Sequence, residues 1–154
     1  MKRFQLFAFS FGLILALCLL VGCSAKTPLT AEEFTDLMEQ AGYQIYDGSV
    51  ENQGVMVFLP AVDPDDRFDI EFYVFYSSET AEYAFDGIKA GLKSQNGVWY
   101  MTTDIAAANY SRYSGTQNDI YYIVSRIDNT IIYVMTEAEN KNEVNETLKT
   151  LGYR

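Results

Sequence analysis

The sequence predicts an α+β fold: an antiparallel β-sheet with helices packed on one face. Three observations carry that reading. Residues 68–76 alternate strictly between Phe68, Ile70, Phe72, Val74 and Tyr76 on one side and Arg67, Asp69, Glu71, Tyr73 and Phe75 on the other, the period of a strand. Residues 120–127 and 130–136 form a hairpin pattern across Asp128-Asn129, residue types that tolerate the positive φ of a tight turn. Three segments with helical spacing lie before, between and after the strands, and the short connections favour antiparallel pairing over a βαβ arrangement.

The first helix is expected over residues 31–41. Thr30-Ala31-Glu32-Glu33 is a capping box, Phe34, Leu37, Met38 and Ala41 follow at helical spacing, and Gly42 supplies the stop. Short strands follow at 43–46 and 55–59, then a turn over 60–66. Ser78 is placed to cap a second helix reaching Leu92, with Ala81, Ala84, Phe85, Ile88 and Leu92 as its apolar stripe. Residues 98–103 read as a strand, and 106–114 as an ill-defined segment ending in a Ser114-Gly115 turn. Asn140 and Glu143 cap a last helix carrying Val144, Leu148 and Leu151, stopped by Gly152. Residues 43–92 and 98–151 each read as strands followed by a helix, and both outer helices end in Gly-Tyr, which suggests a degenerate internal repeat.

The N-terminus sets the address. Lys2 and Arg3 precede an apolar run from Phe4 to Leu20, the layout of a secretory signal. The run closes in Leu20-Val21-Gly22-Cys23, which resembles the lipobox of bacterial lipoproteins. That resemblance implies cleavage before Cys23, diacylglycerol on its thiol, and a palmitate-type, membrane-anchored protein on the extracytoplasmic side of the cell envelope. Phe4 to Val21 is also marginally long enough for a transmembrane anchor, but the cleavage pattern favours the lipoprotein, and diacylglycerol supplies the two chains that stable anchoring needs. The organisation is then a signal peptide over 1–22, a tether over 23–29 and one domain over 30–154. The remainder is similar in general character to small lipoproteins of Gram-positive bacteria, a likeness that implies no activity.

Composition narrows the function. Loss of Lys2 and Arg3 with the leader takes the net charge from −10 to −12. Nucleic acid and anionic headgroups, which demand a basic patch, are poor partners. The two cysteines are Cys18 in the leader and Cys23, so the mature domain forms no internal disulfide. Histidine is absent, which removes the usual general base, metal ligand and near-neutral proton switch. No cofactor is expected. The acidic run Asp63-Pro64-Asp65-Asp66-Arg67-Phe68-Asp69 departs from a calcium-binding loop, with Arg67 at the fifth position and Phe68 where glycine belongs, and reads as a turn. Gly87 and Gly91 give the second helix a smooth strip, read as close packing against a neighbour.

The candidate site comes from the hairpin. With Ile127 opposite Thr130, one face carries Ile120, Tyr122, Val124, Arg126, Ile131, Tyr133 and Met135, while the other carries Tyr121, Ile123, Ser125, Ile127, Ile132, Val134 and Thr136. Both faces are apolar. A sheet covered on one side only leaves Tyr122, Arg126 and Tyr133 as a partner-binding surface; the alternative is that the N-terminal segment, a loop or a second protomer covers them. The expected function is a non-catalytic binding domain for a protein, peptide or cell-wall partner, followed by a small-molecule-binding or sensing accessory lipoprotein. A glycosidase built on Asp69 and Glu71 ranks third, since nothing places a carboxylate opposite them.

Overall fold

The computed structural model describes residues 25–50 and 54–154. The signal segment and Cys23 lie outside them. The elements run α1 (Ala31–Gln40), β1 (Gln44–Ile45), β2 (Val55–Val62), β3 (Asp69–Phe75), α2 (Ser78–Ser94), β4 (Tyr100–Ala107), β5 (Tyr110–Gln117), β6 (Ile120–Ile127), β7 (Thr130–Glu137), a short 3-10 turn (Ala138–Asn140) and α3 (Lys141–Thr150). All seven strands join one antiparallel sheet in the order β1-β2-β3-β7-β6-β5-β4. Two meanders therefore meet at their last strands.

The helices do not share one face, which corrects the expected packing. Phe34 and Met38 of α1, Val144 and Leu148 of α3, and Leu151 and Tyr153 beyond it pack on Leu59, Ala61, Ile70, Phe72, Tyr121, Ile123, Ile127, Ile132 and Val134. Ala81, Phe85 and Leu92 of α2 pack on Phe75, Tyr113, Val124 and Ile131, which point to the other side. The physical reason lies in the hairpin: β6 and β7 are apolar on both faces, so each needs cover, and the stripe of α2 supplies the second. The two strand-plus-helix units consequently stop being alike at their helices. The local two-fold relating antiparallel β3 and β7 runs normal to the sheet, and it would leave α2 and α3 on the same face.

Several local expectations shift for identifiable reasons. β2 runs through Pro60, because the nitrogen of Pro60 points away from β3 toward the two-residue edge strand β1, where the Pro60 carbonyl accepts from Tyr46 N at 3.1 Å. Gly115 lies inside β5 and not in a turn. A Cβ there would meet Cε3 of Trp99 at 2.8 Å, so glycine admits the only tryptophan onto the sheet. Ser77, one residue early, caps α2 by accepting from Thr80 N. Asn140 leaves α3 uncapped by its side chain and donates to Thr136 Oγ1 at 3.0 Å. The Thr30/Glu33 capping box and the Ile127–Thr130 register form as expected.

Candidate functional site

Strand alternation places Glu71, Tyr73 and Phe75 of β3 on the α2 face, and the register sets Glu71 directly opposite Tyr133. α2 crosses this face from Phe75 outward. Its last turns, Ile88, Gly91, Leu92 and the C-cap Gln95, stand over Glu71, Tyr73 and Tyr133 and enclose a groove of about 330 Å³. Gly91 opens it: a Cβ at Gly91 would meet nothing within 4 Å, and the same holds at Gly87. The glycine strip thus borders open space and not the close packing expected of it.

The groove is an apolar slot with one carboxyl on its floor. Tyr73 donates to Glu71 Oε2 at 2.5 Å, and Phe58 stacks on the Tyr73 ring at 4.7 Å with planes 16° apart, which fixes the donor. Burial pushes Glu71 above the ordinary carboxyl range against the pull of the Tyr73 bond, and the nearby Asp69 charge adds to the rise. Burial, then the Glu71 charge, pushes Tyr133 up to about 12. Burial and the bond to Glu71 push Tyr73 upward as well. Among the described residues no lysine or arginine pairs with Glu71. The cations of α2 are engaged elsewhere: Lys89 and Lys93 bond Asp104 at 2.6 and 3.0 Å.

Tyr122, Arg126 and Tyr133 do share a sheet face, the one α2 covers. Tyr133 lines the groove. Tyr122 is half-buried at a ring distance of 5.5 Å from Trp99. Arg126 is only 5% exposed and donates to the Asp128 carbonyl at 3.1 Å, with Ser111 Oγ at 3.5 Å, which makes it a packing residue at the opposite end of the strand. Met135, on the same face, is 55% exposed. Sequence reasoning missed Tyr73, took Glu71 only as half of a third-ranked catalytic pair with Asp69, and took Gly91 only as a packing surface. A signal for Glu71 was present, a carboxylate on a strand whose other face is wholly apolar, whereas the bearing of Gly91 depends on where α2 lies.

The acidic run is a clip. Asp63, 3% exposed, accepts from Arg67 Nε at 2.8 Å and Nη2 at 3.0 Å, while Arg67 reaches Glu143 of α3 at 2.7 Å. Burial raises Asp63, but the Arg67 bonds and charge outweigh it and hold the carboxyl below its usual range. Among the described residues no cluster of acidic or thiol side chains could hold a metal, and no helix is long and apolar enough to cross a membrane. The chain matches no protein-family model, no curated protein and no solved structure.

Proposed function

We propose that the chain is a lipid-anchored, extracytoplasmic, non-catalytic binding domain whose groove takes an amine-bearing segment of a peptide or cell-wall partner. The observation that carries this is Glu71, a half-buried carboxyl without a cationic partner among the described residues, set between Tyr73 and Tyr133 in an apolar slot. Leaving such a group unpaired is unfavourable, and an incoming ammonium offsets that cost through charge and through the tyrosine faces. One carboxyl with no opposed acid or base at the groove supports binding and gives no acid–base pair for catalysis. The anchor at Cys23 rests on the lipobox.

The test is a titration followed by amide NMR with a short apolar peptide carrying one lysine, run beside its Nε-acetylated counterpart. The lysine peptide is expected to shift resonances of Glu71, Tyr133 and Leu92, with affinity rising as pH passes upward through the Glu71 pKa, and the acetylated peptide to leave them unmoved. Gly91→Phe should block the response, while Gly87→Ala, also facing open space, should preserve it. Equal responses to both peptides would refute the amine reading. The groove volume lies at the lower end for small-molecule sites, so the sensing alternative uses the same groove, and a simple alkylamine binding as tightly as the peptide would favour it.

A further inference from the structure

The expected tether is mostly part of the domain. Leu29 packs against the α1–α3 side of the core, and Lys26 is clamped. The Lys26 backbone N donates to Asn109 Oδ1 at 3.0 Å, and its carbonyl accepts from Asn109 Nδ2 at 2.7 Å. Its ammonium bonds the carbonyls of Gly152 at 2.8 Å and Arg154 at 3.1 Å and lies 3.9 Å from the Tyr110 ring centroid. A residue held by four hydrogen bonds, only three peptide steps beyond Cys23, leaves almost no free chain.

The clamp sits at one defined end of the sheet. The β4–β5 and β6–β7 turns meet there through Asp128 N to the Asn109 carbonyl at 2.8 Å, and Phe75 N bonds the Asn129 carbonyl at 2.9 Å, bringing in the β3–α2 junction. Tyr153 joins through its hydroxyl bond to Thr130. The opposite end holds the β2–β3 turn with Asp63, Asp65 and Asp66, the β5–β6 turn with Asp119, then Glu137 and Glu139. Among the described residues the β4–β5 and β6–β7 turns at the clamp end carry one carboxylate, Asp128, beside Lys26 and Arg154, although Glu32, Glu33 and Glu79 flank it in the first turns of α1 and α2; the opposite end holds Arg67 and Lys141 among its carboxylates.

We infer that the anchored domain stands upright on the bilayer, clamp end down, with the groove midway up the α2 face of the sheet; this rests on the lipid-anchor reading. Three peptide steps from Cys23 to Lys26 reach at most ~11 Å, and the headgroup layer on one side is ~5–8 Å thick. Lys26 is therefore held within a few ångströms of the headgroups. α2 starts from Ser77 at that end and crosses the sheet, so that Lys89 and Lys93 reach Asp104 in the row that also holds Tyr133 and Glu71; Tyr133 and Glu71 stand three and four strand residues from the clamp end, ~10–13 Å above it at ~3.3 Å per residue. The acidic turns stand off an anionic surface in this pose, the direction in which membrane charge biases the domain.

The acylated domain has no spare thiol, so an introduced cysteine reports one position. The full chain is made in a lipidating bacterial host as Tyr76→Cys (clamp end) or Glu139→Cys (far end), dye-labelled, and reconstituted in phosphatidylcholine–phosphatidylglycerol vesicles bearing a headgroup acceptor. Energy transfer is expected to be several-fold stronger from position 76 than from position 139, and the difference should shrink when Lys26→Ala and Asn109→Ala release the clamp. Equal transfer from an acylated, vesicle-bound chain would overturn the orientation alone. A chain without acyl mass that does not float with vesicles would overturn the anchor and the orientation with it.

Discussion

Tyr153 closes the core from the C-terminal side, and replacing it with alanine should cost about 3–5 kcal/mol, the range for deleting a fully buried aromatic ring. Its ring meets Phe72 edge-on at 6.5 Å, its hydroxyl bonds Thr130, and its carbonyl accepts from Ser125 Oγ at 2.7 Å and Tyr110 at 3.3 Å. The carbonyl bonds survive the substitution, so the loss is packing plus one hydroxyl. With ~2.1 cal/mol/K of unfolding entropy per residue, a domain of ~125 residues has a slope near 0.26 kcal/mol per degree, so the melting temperature should fall by about 12–19 °C. Tyr153→Phe removes only the hydroxyl and should cost about 1 kcal/mol. It also tests linkage. Burial pushes Tyr153 up to about 12, above its unfolded value near 10, so its contribution is fully present below pH ~10 and is lost as pH rises toward 12; the phenylalanine variant lacks that loss. Thermal melts at pH 7 and 11 with urea midpoints measure both. A loss below about 1 kcal/mol for Tyr153→Ala would refute its place as a core residue.

Asp63→Asn keeps the shape of the β2–β3 turn and removes the charge that Arg67 clasps, so at pH 7 it should lose about 1.5–3 kcal/mol, the worth of bonds to a charged group. Because Asp63 titrates below its unfolded value, its contribution is present above pH ~4 and disappears as pH falls through the folded pKa; the gap between variant and wild type in thermal melts should close near pH 2, and a constant gap would refute the clip. Gly115→Ala drives a Cβ into the Trp99 ring and should cost about 1–3 kcal/mol as overpacking, with a red shift in the fluorescence of the only tryptophan; an unshifted spectrum would show that Trp99 does not cover Gly115.

Local chemistry made much of the fold legible. The Thr30/Glu33 box, the stops at Gly42 and Gly152 with φ of 89° and 82°, and the Asp128-Asn129 turn each depend on a few adjacent residues, and each forms as read. What escaped depends on partners distant in sequence. Pro60 sits in a strand because its neighbour β1 is too short to need the missing donor, and Gly115 sits in a strand because Trp99 covers it. The two apolar faces of β6 and β7 were visible, yet their period says only that both need cover, not that α2 provides it. The groove was hidden for the same reason. Gly91 matters only once α2 is laid over Glu71 and Tyr133, and Arg126, grouped by face with Tyr133, is separated from it by its place along the strand.

Glu71→Gln tests the central claim most directly, because it separates binding from stability in opposite directions. Glutamine keeps the size and still accepts from Tyr73, but it removes the cost of ionising a buried carboxyl. Since burial raises the Glu71 pKa, the stability penalty grows as pH rises above the unfolded carboxyl value, and at pH 7 the variant should melt at a higher temperature than wild type. Calorimetric titration of the same variant with the lysine peptide should show affinity reduced at least tenfold. Undiminished affinity, or a lower melting temperature with binding intact, would contradict the account.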